Sequence, residues 1–201
     1  MPAEALPQLY LDDAPFAGVA SRFRSTWILA SHRSLRDAGV FDRYLANVPS
    51  AYRADLLELV AGAWIPMAAA RAHYAACDRL GLTVDEQLGM GQSVGGYVQR
   101  TVLATLVKAA RGAGVTPWTI MPHFDRLWRR AVDGGSAEVF RLGPKEARAV
   151  FTGCELLEFT YFRNGLRGVL LRSGALFASK GFIHEIAAKQ RDEVEFRMQW
   201  V

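Results

Sequence analysis

Two cysteines, four histidines and one glycine-rich stretch are the residues of this 201-residue chain whose types and spacing invite a chemical reading. Cys154 follows a segment of strand-like alternation, with Glu155 beside it and Glu158 four residues on. A thiol nucleophile needs electropositive neighbours that hold it as thiolate, and these neighbours are acidic. A small buried hydrophobe is the better account of Cys154, so a cysteine-dependent enzyme ranks last among the functional readings. Cys77 lies far away in the chain, and neither cysteine has metal-ligand spacing, so no disulfide framework and no metal site is expected. Gly89-Met90-Gly91-Gln92-Ser93-Val94-Gly95-Gly96 has the composition of a phosphate loop. It follows a helix cap instead of a strand and lacks the Gly-Lys-Ser/Thr ending, so a bent or tightly packed helix is expected there. The carboxylate pairs Asp12-Asp13, Asp85-Glu86 and Glu193/Glu195 fall at caps, ends or polar strand faces, where they are solvated. Of His32, His73, His123 and His184, His73 lies closest to an apolar helical stripe. A histidine in that position is ordinarily part of a hydrogen-bonded structure, and a ligand less often.

The elements that must position these residues come in two kinds. Irregular sequence with Pro2, Pro7 and Pro15 occupies residues 1–24, and a helical half begins at Ser25. Ser50 is placed to cap a helix carrying Leu56, Leu57, Leu59 and Val60, with Gly62 as a stop. Pro66 suits the first turn of the next helix, where Met67, Ala70, Tyr74, Cys77 and Leu80 fall on one stripe that ends at Gly81. Thr83 and Glu86 have capping-box spacing, and Tyr97 to Arg111 reads as a further helix. Thr116-Pro117 reads as cap and first helical position, and Pro122 opens a segment carrying Phe124, Leu127 and Trp128. At Asp133-Gly134-Gly135 helical periodicity gives way to two-residue alternation. Ala137–Leu142 and Ala147–Thr152 read as strands joined around Gly143-Pro144-Lys145-Glu146. Phe159–Phe177 is predicted to be helical. Gly165 and Gly168, three apart on it, cost about 1 kcal/mol each relative to alanine, which fits a close approach by another backbone or a ligand and fits a kink in the helix equally well. Gly181–Ala188 and Glu193–Val201 form a closing hairpin across Lys189-Gln190-Arg191-Asp192, with Val194, Phe196, Met198 and Trp200 on one face. The expectation is an α+β single domain over residues 1–201: a helical half, 1–133, packed on an antiparallel sheet, 136–201, in the order strand, strand, helix, strand, strand.

Composition narrows the function classes. An apolar fraction of 51% suffices for a continuous core. The net charge is +4, and the best cationic cluster, Arg126, Arg129 and Arg130, is followed closely by Asp133, so nucleic-acid binding is not expected. No apolar run approaches the ~20 residues that cross a bilayer, and the N-terminus lacks the basic and apolar regions of a secretory signal. A cytoplasmic location is expected.

The same plan, a mostly helical first half followed by hairpin, helix and hairpin, resembles the ligand-binding superfamily that includes 4-vinyl-reductase-like domains, haem nitric-oxide-binding domains and Bet3-like trafficking subunits. Ser25-Thr26-Trp27, Gly114-Val115-Thr116-Pro117-Trp118, Leu127-Trp128, Leu142-Gly143-Pro144 and Phe196-Arg197-Met198-Gln199-Trp200 are similar to a myxobacterial paralogous family of about this length. The resemblance implies a fold and no catalytic residue. It also allows haem, for which His73 is the candidate axial ligand. The Tyr-x-Ser-x-Arg pattern that holds haem propionates in the nitric-oxide-binding relatives is missing, and Tyr161-Phe162-Arg163-Asn164-Gly165 matches it only superficially. The expectation is a non-enzymatic, sensory or regulatory module without a cofactor that binds an apolar small molecule or a protein partner and forms a homodimer. Its pocket candidates are Tyr74, Tyr97, Trp118, Phe162 and Gly165, since pockets are mostly apolar and aromatic with few polar groups. A haem-based gas sensor using His73 is the alternative.

Overall fold

A computed structural model of the chain describes residues 4–5, 18–102, 116–186 and 192–201. The elements follow the two periodicities of the sequence in an α+β plan. The helical half holds α1 (Ser25–Asp37), α2 (Phe41–Asn47), α3 (Ser50–Leu57), α4 (Met67–Asp78) and α5 (Val84–Val102), then the short α6 (Pro117–Ile120) and α7 (Phe124–Arg129). On α4 the expected stripe is the buried one: Met67, Ala70, Tyr74, Cys77 and Leu80 are all in the core. Burying each large side chain contributes roughly 1.5–3 kcal/mol, which is what holds so short a helix in place.

The capping box is formed. Glu86 accepts from the Thr83 backbone N–H at 2.7 Å and from its hydroxyl at 2.8 Å, and the two bonds lower the Glu86 carboxyl pKa. Ser50 is a correction by one position: Pro49 holds the cap and Ser50 is the first helical residue, with no side-chain cap bond. The glycine-rich stretch is helical and belongs to α5, as expected; the part of the Tyr97–Arg111 segment beyond Val102 lies outside the described residues, as do Gly114-Val115, most of residues 1–17 and Lys189-Gln190-Arg191.

Past α7 the chain turns through Gly134 and Gly135, whose φ angles of +117° and +65° suit glycine alone among ordinary residues. The sheet holds β1 (Glu4–Ala5), β5 (Ser136–Gly143), β6 (Glu146–Thr152), β7 (Gly181–Ile186) and β8 (Glu193–Trp200), in the order β1-β5-β6-β8-β7, all antiparallel. Between β6 and β7 runs α8 (Thr160–Gly174), slightly shorter at both ends than the periodicity predicts. Val139 pairs with Ala149 and Ala149 with Phe196, so three strands send apolar side chains to one face.

A second sheet was not anticipated. It has β2 (Arg22–Arg24) between β3 (Trp64–Pro66) and β4 (Val132–Asp133). It joins the start of α1, the start of α4 and the end of α7 at one point. No helix among the described residues is long and apolar enough to cross a membrane.

Candidate ligand-binding site

The packing of α1, α5, α7 and α8 over the sheet leaves a cavity of about 570 Å³. Its walls follow from periodicity. Leu166, Val169, Leu170 and Ser173 lie three or four apart on α8 and share one face, and β6 and β8 present Phe151 and Met198 from below. Trp27 from the first turn of α1, Met121, and Phe124 and Trp128 of α7 close the sides. The lining is thus almost wholly aromatic and aliphatic, and the volume is in the range of small-molecule sites.

Two arginines, Arg24 and Arg130, are among the lining residues. Arg24 is held on three sides: Nε donates to the Arg130 carbonyl at 3.3 Å, Nη1 donates to the Gly62 carbonyl at 2.8 Å, and the guanidinium carbon sits 3.6 Å from the centre of a Trp64 ring. Arg130 is exposed. Among the described residues the lining contains no aspartate or glutamate.

The structure separates the five pocket residues expected from the sequence. Tyr97 lines the cavity and is 39% exposed. Tyr74, Phe162 and Gly165 instead border a deeper void of about 20 Å³, where the Tyr74 and Phe162 rings meet edge to face at 4.8 Å. Trp118 lies apart from both: its Nε1–H donates to the Pro144 carbonyl at 2.7 Å and its ring packs 4.9 Å from Trp200, fastening α6 to the β5–β6 turn. Sequence reasoning missed Trp27, Trp128, Phe151, Leu166 and Met198 as lining. Each carries the core periodicity, and periodicity does not distinguish a wall of a cavity from a contact in a filled core.

His73 is fully buried inside a hydrogen-bonded chain. His32 Nε2 is 2.9 Å from the Tyr44 hydroxyl, Tyr44 is 2.8 Å from His73 Nδ1, His73 Nε2 is 3.1 Å from Ser31 Oγ, and Ser31 is 3.1 Å from the Tyr161 hydroxyl. The chain ends where Tyr161 donates to the Met90 sulfur at 3.3 Å. A thioether only accepts, so Tyr161 spends its one proton on Met90 and accepts from Ser31, which in turn accepts from His73; burial keeps His73 neutral, and this assigns the remaining bonds. Ser31 donates to Tyr161, His73 Nε2–H donates to Ser31, Tyr44 donates to His73 Nδ1, and His32 Nε2–H donates to Tyr44. Burial pushes His73 well below its ordinary pKa, and burial with the Arg36 charge lowers His32 to about 4. His73 therefore has no free lone pair: Nε2 carries the proton and Nδ1 accepts from Tyr44.

Cys154 is fully buried, and burial pushes its thiol up to about 12. Cys77 is shifted the same way, by burial first and the Asp78 charge second. Both are poor sources of thiolate. Among the described residues no group of three or more His, Cys, Asp or Glu side chains could hold a metal ion.

Comparison of the sequence with known protein families finds no match. Comparison with curated proteins finds none either. Solved structures do match. The Fe(II) unliganded H-NOX protein from K. algicida superposes with a TM-score of 0.63 at 9% identity, covering 89% of this chain and 96% of that one. An H-NOX protein studied for haem distortion gives 0.62 at 10% identity over 88% of this chain and 94% of that one. An oxygen-binding H-NOX domain related to soluble guanylate cyclases, in its oxygen complex, gives 0.59 at 9% identity over the same shares, 88% and 94%. At such identities the likeness is one of fold.

Proposed function

We propose that this protein is a non-enzymatic sensory module that binds an apolar small molecule in the cavity between α1, α5, α7, α8 and the sheet. The observation that carries the reading is the cavity itself: about 570 Å³ of space with an aromatic and aliphatic lining, in a chain whose thiols are buried and protonated. Burial of apolar ligand surface at about 25 cal/mol per Å² supplies the driving force. The oxygen binding named for one of the H-NOX neighbours supports a ligand-binding function.

Titration with N-phenyl-1-naphthylamine, a neutral apolar fluorophore, tests the reading. Saturable enhancement at one probe per chain is expected, and Leu166→Trp, which fills the space from α8, should abolish it. Absence of saturable binding to the unaltered protein would sink the proposal.

Haem-based gas sensing is the second reading, favoured by the haem named for the fold neighbours. The residues do not fit it through His73, which has neither a free lone pair nor a place in the lining. Among the described lining residues the atoms able to ligate haem iron are the Tyr97 hydroxyl and the sulfurs of Met121 and Met198. An absorption spectrum after mixing with haemin decides: no Soret band eliminates haem, and a Soret band unchanged in His73→Gln eliminates His73 as its ligand.

A further inference from the structure

We infer that the ligand of this cavity is an amphipathic acid, its apolar body seated among Trp27, Trp128, Phe151 and Leu166 and its single anionic head held by Arg24 and Arg130. The inference rests on the proposed role of the cavity as a ligand site and specifies what that site takes.

Arg24 is the central observation. A guanidinium has five N–H donors. Two of Arg24's go to the Arg130 and Gly62 carbonyls, and the Trp64 ring covers one face of the group. These contacts fix its plane while leaving three donors without a partner among the described residues. Neither Arg24 nor Arg130 has a carboxylate partner among those residues, whereas Arg22, Arg71, Arg129, Arg148, Arg163 and Arg197 do. A charge-assisted hydrogen bond to an anion is strengthened beside a low-dielectric wall. Here the wall is a cavity large enough for a ligand, and its described lining contains no acid.

The choice of arginine also bears on the head group. The planar fork matches a carboxylate or a phosphate in a bidentate manner, and orientation by Trp64 removes part of the entropy that a free side chain would lose. A neutral hydrocarbon would fill the apolar part and leave both cations unpaired. An acid satisfies both parts of the site.

Displacement of N-phenyl-1-naphthylamine by dodecanoate, dodecyl phosphate and dodecanol tests this. The three share one chain and differ in the head. One or both acids should compete about tenfold or more better than the alcohol, as expected for charge-assisted hydrogen bonds; the better acid identifies the head group. The acid-to-alcohol ratio should contract in Arg24→Gln and in Arg130→Gln, the latter an exposed position where folding is not at stake. Equal competition by acids and alcohol, or failure of all three to displace the fluorophore, would overturn the inference while the cavity reading stands. A ratio unchanged in both variants would overturn the assignment to these arginines. Failure of the fluorophore itself to bind is the separate result that removes the cavity reading.

Discussion

At the scale of single residues, the hydroxyl of Tyr44 lies between two buried imidazoles, 2.9 Å from His32 Nε2 and 2.8 Å from His73 Nδ1. This has a thermodynamic consequence. His32 and His73 are held neutral in the folded state, with pKa values lowered from 6.5, to about 4 for His32. In the unfolded chain both take up protons near pH 6.5. Between pH 6.5 and about 4 the unfolded state thus binds more protons than the folded one, and stability falls as pH falls through that window. The contribution is fully present above pH 6.5. Urea unfolding followed from pH 7.5 to 5.5, above the ordinary carboxylate range, should show the midpoint declining below pH 6.5, with a slope of up to about 1.4 kcal/mol per pH unit for each histidine. A midpoint constant across that interval would contradict the neutral assignment.

Among the elements, the contact of α5 with α8 shows why two glycines on one helix are not equivalent. A Cβ on Gly91 would lie 2.2 Å from the Gly165 carbonyl oxygen, and one on Gly168 would lie 2.3 Å from the Leu88 oxygen. The helices therefore touch backbone to backbone. Gly89, on the same helix as Gly91, has nothing within 4 Å of its Cβ direction. Opposite signs are expected: Gly91→Ala should destabilise by about 1–3 kcal/mol through overpacking, and Gly89→Ala should stabilise by up to about 1 kcal/mol through helix propensity. Chemical denaturation of the two variants gives the comparison, and destabilisation by both or by neither would refute the close-contact account. The glycine spacing made this contact legible from the sequence, and so did the α4 stripe, the Thr83/Glu86 box and the alternation of β8. The β2-β3-β4 sheet was not legible, because strands of two or three residues carry no period to read. Of the cavity lining, Tyr97 was legible in the sequence. Arg24 was not, since its place there depends on the meeting of β2 with Gly62 and Trp64, a tertiary event that leaves no local pattern.

For the molecule as a whole, the change of periodicity at Gly134-Gly135 raises the question of whether the two halves fold separately. The core argues that they do not. Phe23 of β2, Tyr74 of α4 and Phe162 of α8 form one edge-to-face cluster across the halves, with ring centres 4.8–6.0 Å apart. Gln87 and Asn164 are joined by a buried hydrogen bond of 2.9 Å. Most telling is the start of α8, whose own cap position, Phe159, has no side chain able to cap. The last residue of α4 does so instead: Asp78 accepts from the Tyr161 N–H at 2.6 Å and from the Thr160 N–H at 3.1 Å. A carboxylate at that end also complements the helix dipole. The second half thus takes a helix cap from the first, and the buried aromatic cluster draws residues from both. A single calorimetric transition is expected, with equal calorimetric and van't Hoff enthalpies. Asp78→Ala should shift the whole transition downward by about 0.5–2 kcal/mol without splitting it, because the lost cap belongs to the one cooperative unit. Two resolved transitions in the unaltered protein, or a variant in which only part of the endotherm moves, would show that the halves are separate domains.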